Sequence, residues 1–180
     1  MKNKKLAIVG ATGLVGQVVL NVLASKKIIS DLNPDNVFLV ASDKSVGKII
    51  SFLGKDIKVI SIKEAILEKP DYVIMSAGST ISKEFAPLFV KAGAVVIDNS
   101  SAWRTLPEIP LIVPSISNQK LDMDFGIIAN PNCVAIMIAI GLAPFINLKI
   151  NSVSLSAMQA VSGAGYKGTT TLEQENKNND

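Results

Sequence analysis

Histidine is absent from this chain of 180 residues, and cysteine and arginine each occur once. Without histidine, any mechanism that needs an imidazole as general base must find it elsewhere. One cysteine excludes an internal disulfide framework and fits a reducing, cytoplasmic setting. No apolar run approaches the ~20 residues of a membrane span, and the run after the basic Met1-Lys2-Asn3-Lys4-Lys5 breaks at Gly10, too early for the core of a signal peptide. A formal net charge of +3, carried by scattered lysines, excludes the clustered basic face of a nucleic-acid binder. What remains is a globular composition, 48% hydrophobic and 18% charged, long enough for one domain with a sizeable core or one domain plus part of another.

Leu6-Ala7-Ile8-Val9 reads as a buried parallel strand, and it ends in Gly10-Ala11-Thr12-Gly13-Leu14-Val15-Gly16, followed by an amphipathic helix to about Ser25. Strand, glycine turn and helix in that order form a dinucleotide-binding opening: the glycines admit a pyrophosphate close to the backbone at the helix N-terminus. Val37 to Ala41 is a second strand, ending at Ser42-Asp43-Lys44-Ser45, where this fold reads the adenosine ribose. An acid there favours NAD and a positive group favours the 2′-phosphate of NADP; Lys44 with the hydroxyls of Ser42 and Ser45 tips the reading to NADP. The bland alternative, solvated loop residues, stays open.

A strand over Asp56 to Ile62, a short helix over Lys63 to Glu68, a strand over Asp71 to Met75 ending at Ser76-Ala77-Gly78, a helix over Ser82 to Ala92 and a strand over Ala94 to Asp98 continue the rhythm. Strands alternating with helices in this way predict an α/β fold built on a doubly wound parallel sheet. The strand end at Asp98 is followed by Asn99-Ser100-Ser101-Ala102-Trp103-Arg104. The planar fork of Arg104 suits a phosphate or carboxylate, while pairing with Glu108 is the ordinary alternative. A brief strand is expected at Leu111 to Val113, and Ser117 is expected to cap a turn through Leu121.

The chain is organised around Gly126 to Ile136. An apolar strand stops at Asn130-Pro131, Asn132 stands at an N-cap position, and Cys133 opens an apolar and mostly buried helix. First-turn N–H groups and the positive end of the helix dipole favour negative charge on a thiol placed there, as a nucleophile requires. A buried structural cysteine is the bland alternative. After about Leu148 the pattern changes: Ile150 to Ala160 alternates like a half-exposed strand of another sheet, Gln159 to Gly165 is a glycine-rich turn, and the tail is polar. The expected division is a domain at 1–148 and the truncated start of another at 149–180.

These motifs, in this order, resemble aspartate-semialdehyde dehydrogenase: the Gly10 to Gly16 turn, Ala41 to Lys48, Ser76-Ala77-Gly78, Asp98 to Arg104, Ile128 to Cys133 and Gln159 to Gly165. The resemblance implies a Rossmann-type domain at 1–148 carrying the nucleophile, and at 149–180 the start of an α+β catalytic and dimerisation domain. It implies NADPH-dependent reduction of L-aspartyl 4-phosphate to aspartate 4-semialdehyde with release of inorganic phosphate, toward lysine (through diaminopimelate), methionine and threonine, by a homodimer or homotetramer. Cys133 would form the acyl-thioester and Gln159 would orient the acyl group. Asn99 and Arg104, with Gln159, would hold the acyl phosphate. Gly10, Thr12, Gly13, Leu14, Val15, Lys44, Ser45, Ser76, Ser162 and Gly163 would hold NADP.

Three departures accompany the resemblance. Lys44 stands where arginine is usual, and Val134-Ala135 replace a usual Ser-Thr pair after the cysteine. The family's acid/base histidine and substrate-binding arginine belong to a later stretch that this chain lacks, so the chain alone is expected to turn over little. Two rival enzymes are disfavoured by the residues around Cys133: N-acetyl-γ-glutamyl-phosphate reductase, with His-Pro-Gly before its cysteine, and a glyceraldehyde-phosphate-type dehydrogenase, with Thr-Thr-Asn after it. A non-catalytic nucleotide-binding remnant is the rival from another class.

Overall fold

The strands Leu6–Val9, Val37–Val40, Tyr72–Met75, Val95–Asp98 and Ile127–Ala129, here β1, β2, β5, β6 and β7, form one sheet in the order β2-β1-β5-β6-β7. Every neighbouring pair is parallel, with Leu6 opposite both Val37 and Tyr72, and Met75 opposite Asp98. The computed structural model describes residues 3–25, 32–116 and 126–178. The expected cap at Ser117 and turn through Leu121 lie outside them.

Parallel strands bury both faces because their connections cross over as helices. Ala7 and Val9 of β1 point to one core with Val73, Met75, Val96, Ala86 and Phe89; Leu6 and Ile8 point to another with Leu20, Val37, Leu39, Phe52 and Val59. Helices α2 (Ile62–Leu67) and α3 (Ser79–Lys91) supply Ala65, Ala86 and Phe89 to the first, and α1 (Leu14–Ser25) supplies Leu20 to the second. Ile8 and Phe89 are fully buried, and each such side chain contributes roughly 1.5–3 kcal/mol.

Two segments differ from expectation in the first part of the chain. Asp56 to Ile62 is not one strand: β4 (Lys55–Lys58) pairs antiparallel with β3 (Ile49–Phe52) in a small second sheet, and Ile60 makes only a bridge to Val40. Leu111 to Val113 is not a strand either. Leu111 bridges Ala129 at the sheet edge, and the prolines on both sides, which cannot donate to a ladder, stop it from extending.

The chain divides into two compact units, Met1–Asn132 and Cys133–Asp180. This division falls ahead of the change in composition near Leu148. The sheet, the hairpin and α1 to α3 belong to the first unit. The second holds α4 (Cys133–Leu142), a 3-10 turn (Ala143–Leu148), an irregular stretch, a 3-10 turn (Val161–Ala164) and α5 (Gly165–Asn178). The mostly buried helix expected after Cys133 is not found: none of the residues of α4 is buried, because the turn that follows is its main neighbour within the unit. The strand expected over Ile150 to Ala160 is not found either. Residues 151–160 are exposed and irregular, and among the described residues the second unit offers no strand to pair with them.

Candidate active site

Gly10 ends β1 with a φ of +88°, a backbone conformation that glycine adopts without strain. Its N–H and that of Ala11 both donate to the Val40 carbonyl, at 2.8 and 3.0 Å, so the turn is fastened to the end of β2. Two close approaches explain the glycines. A Cβ on Gly10 would stand 2.4 Å from the Ser76 carbonyl oxygen, and one on Gly16 would stand 2.1 Å from that of Gly10. The first lets β5 end beside the turn, and the second seats α1 on it. Gln17 adds a side-chain bond from Nε2 to the Ala11 carbonyl at 2.7 Å.

These contacts shape a cleft of about 780 Å³ at the carboxyl ends of β1, β2 and β5, lined by Gly10, Thr12 and Gly13, by Ser42 and Asp43, by Ser61, Ile62 and Lys63, and by Ser76 and residues of α3. A cleft at that edge of a parallel sheet, floored by a turn in which a larger residue at Gly10 or Gly16 would collide with backbone, fits the pyrophosphate and ribose of a dinucleotide. Of the residues expected to hold the cofactor, Gly10, Thr12, Gly13 and Ser76 meet here. Leu14 and Val15 open α1 behind the turn. Lys44 and Ser45 lie in the 3-10 turn Asp43–Ser45; Lys44 is exposed, Ser45 is buried, and neither lines the cleft.

The phosphate-binding candidates meet at the ends of β6 and β7. Asn99 N–H donates to the Met75 carbonyl at 2.9 Å, and Asn130 N–H to that of Asp98 at 2.8 Å. The Asn130 side chain donates to Asn99 Oδ1 at 2.7 Å. Arg104 donates from Nε to the Asn130 carbonyl at 2.9 Å and from Nη2 to the Asn99 carbonyl at 3.0 Å. Among the described residues no ion pair joins Arg104 to Glu108, so the ordinary surface pairing does not account for it.

A buried network holds the loop that carries this arginine. Asp98, at 0% exposure, accepts from Ser82 Oγ at 2.5 Å and from Ser100 Oγ and N–H at 2.6 and 2.8 Å, while Trp103 Nε1 donates to Ser82 Oγ at 2.7 Å. Sequence reasoning missed the part played by Asn130, although it sits inside the Asn-Pro-Asn-Cys motif.

In the second unit, Cys133 is the first residue of α4 and is exposed. Gln159 lies on the exposed irregular stretch, and Ser162 and Gly163 in the 3-10 turn that follows it. Gln159 Oε1 is 3.8 Å from where a Cβ on Gly163 would stand. Among the described residues, no group of histidine, cysteine and carboxylates could hold a metal ion, and no helix is long and apolar enough to cross a membrane.

The family model for "Semialdehyde dehydrogenase, NAD binding domain" matches residues 5–123. The chain belongs to that family. This semialdehyde dehydrogenase domain is 44% identical over 178 residues to the aspartate-semialdehyde dehydrogenase of Aquifex aeolicus, covering 96% of the chain and 51% of the relative. Among solved structures it is similar to aspartate semialdehyde dehydrogenase II of Vibrio cholerae complexed with ASA (TM-score 0.83, 34% identity, 97% of this chain and 52% of that one). It is also similar to the aspartate semialdehyde dehydrogenase with NADP of Candida albicans (TM-score 0.63, 25% identity, 80% and 47%). The chain spans about half the length of the curated relatives it matches.

Proposed function

We propose that this chain is the cofactor-binding and acylation part of an NADPH-dependent aspartate-semialdehyde dehydrogenase, which converts L-aspartyl 4-phosphate to aspartate 4-semialdehyde and phosphate in the biosynthesis of lysine, methionine and threonine. The observation that carries the reading is the bonding of Arg104 to Asn99 and Asn130 at a strand end that runs on into Cys133. Asn130 and Cys133 are three positions apart, and covalent geometry alone keeps their Cα atoms within about 11 Å.

In this reading the Cys133 thiolate attacks the acyl carbon, a C–S bond forms, the C–O bond to phosphate breaks, and phosphate leaves with the electron pair. Arg104 and Asn99 hold the phosphate, the guanidinium countering the charge that grows on it. Gln159 orients the acyl group in the thioester. Gly10, Thr12, Gly13 and Ser76 hold the dinucleotide, with Leu14 and Val15 behind the turn, and the resemblance to the family adds Ser162 and Gly163 to the cofactor-binding residues. NADPH, when bound, supplies hydride to the thioester carbonyl. The same proposal includes the domain division at 1–148 and 149–180, a complete subunit that works as a homodimer or homotetramer, and a cytoplasmic setting.

Intact-mass spectrometry of the chain after exposure to L-aspartyl 4-phosphate tests the acylation. One aspartyl adduct is expected on Cys133, absent in C133S and strongly reduced in R104A. A chain that binds NADPH but acquires no adduct would show that this strand end is not an acylation site.

A further inference from the structure

The ends of β6 and β7 carry a side-chain pair that the strands do not need for their own joining. Backbone groups already join them: Asn130 N–H donates to the Asp98 carbonyl at 2.8 Å, and Arg104 bonds the carbonyls of Asn130 and Asn99 at 2.9 and 3.0 Å. The Asn130 side chain adds a further bond, from Nδ2 to Asn99 Oδ1 at 2.7 Å. An amide has an accepting end and a donating end, and half a turn about χ2 exchanges them. With Oδ1 held by Asn130, the Asn99 amide directs Nδ2 elsewhere, and its N–H groups have no hydrogen-bond partner among the described residues. Turned round, the same amide would present a carbonyl oxygen, which repels the oxygens of an anion. Arg104 gives Nε and one Nη2 proton to neutral carbonyls. That leaves both protons of Nη1, and a positive charge that no carboxylate among the described residues pairs with. Because Nη2 grips Asn99 itself, guanidinium and amide are fixed on one loop, and Asn99, Arg104 and Asn130 are all half-buried.

We infer that Asn130 is a positioning residue for the departing phosphate: its side chain holds the Asn99 amide with the donating end toward the anion that Arg104 grips. The inference rests on the reading of this strand end as the phosphate site and adds the residue that orients it. Substitution can isolate this part. Arg104 bonds the Asn130 backbone oxygen, which N130A keeps, whereas the bond to Asn99 comes from the side chain, which N130A removes. In N130A the Asn99 amide is released to rotate and loses its bias toward donation. In N130D the new carboxylate accepts and cannot donate, so it draws Nδ2 to itself and turns Oδ1 to the phosphate.

Intact-mass kinetics of Cys133 acylation at increasing L-aspartyl 4-phosphate, in the unsubstituted chain and in N99A, N130A, N130D and the double variant N99A/N130A, test the assignment. N99A should raise the half-saturating concentration roughly 10- to 100-fold, the range of a charge-assisted bond to phosphate, and N130A roughly 3- to 10-fold, each with a smaller change in the limiting rate. N130D should be weaker than N130A. In the N99A background the N130A change should cost less than about 2-fold, since an absent amide needs no orientation. Alkylation of Cys133 by iodoacetamide, which carries no phosphate, should keep its rate throughout; a merely structural role for Asn130 would alter both reactions alike. An equal N130A effect in the two backgrounds, or an N130A chain that acylates normally while N99A does not, would overturn the assignment and leave the phosphate site standing. An unsubstituted chain that acquires no adduct would overturn the site and the assignment with it. Circular dichroism melts separate a lost contact from a lost fold, and N130D carries the test if N130A is unfolded.

Discussion

Arg104 donates from Nε to the backbone oxygen of Asn130 at 2.9 Å, which binds the single guanidinium of the chain to the end of β7. A second bond, from Nη2 to the Asn99 oxygen at 3.0 Å, reaches the end of β6. One rigid fork therefore spans two adjacent strand ends, a geometry that an ammonium on a flexible stem cannot copy. Exchanging it for lysine should lower stability by about 1–3 kcal/mol, since charge is kept but one or both bonds are lost. Urea denaturation of R104K reads this directly. A midpoint equal to that of the unsubstituted chain would mean the fork does not hold the strand ends together.

Asp98 supports the same loop from beneath. Its two oxygens accept three bonds from Ser82 and Ser100, with no exposure to solvent. In D98N an amide NH2 replaces one of those oxygens and meets a donor, so D98N should lose about 2–3 kcal/mol, more than an exposed aspartate would. S82A should cost less, about 1 kcal/mol, although it also deprives Trp103 Nε1 of its acceptor. The order D98N then S82A in denaturation midpoints checks the network; a reversed order would show that Trp103, not the carboxylate, anchors the loop.

The glycines of the first turn give a graded series. Alanine at Gly16 would set a Cβ 2.1 Å from a backbone oxygen, whereas at Gly13 the nearest atom is 3.3 Å away, and at Gly141 of α4 nothing lies within 4 Å. G16A should therefore lose roughly 1–3 kcal/mol or more, because backbone and not a flexible side chain must move. G13A should be milder. G141A should raise the helicity of α4, worth up to about 1 kcal/mol in that helix. Thermal melts followed by circular dichroism rank the three, and a G16A chain as stable as the unsubstituted one would refute the close packing of α1 on the turn.

The contrast between the two units shows what a sequence encodes locally. Gly13 and Gly16 meet the Gly10 carbonyl within one turn and helix, and buried parallel strands are apolar on both faces, so the first unit was legible in outline. The β3–β4 hairpin was half hidden because its turn uses Leu53 and Gly54, with φ of 51° and 78°, where an Asn-Gly pair would have announced it. Alternation over Ile150 to Ala160 is a true strand signal, but period alone does not supply a neighbouring strand, and residues 151–160 are irregular. Arg104 drew notice by its rarity. Asn130 did not, because its part depends on which strand ends the topology brings side by side.

Acid sensitivity should centre on Asp71. Its Oδ1 accepts from Lys4 Nζ at 2.7 Å and its Oδ2 from Lys5 N–H at 2.8 Å, while its own N–H donates to the Lys5 carbonyl at 2.9 Å, so this carboxylate clamps the start of β1 to the start of β5. The Lys4 side-chain bond, and after it the Lys5 backbone bond, hold the carboxyl below its ordinary value of 3.8. A group whose folded value is depressed contributes fully above the unfolded value, and that contribution fades as pH falls through the folded one. D71N should therefore be about 1 kcal/mol less stable than the unsubstituted chain at neutral pH and should approach it as the solution is acidified below about pH 4. Salt divides the two causes: the exposed Lys4 partner is screened, whereas the backbone bond from Lys5 is not. At high salt the neutral-pH difference between D71N and the unsubstituted chain should shrink without vanishing. A difference that stays constant from neutral to acid would mean that Asp71 acts through shape alone and not through its charge.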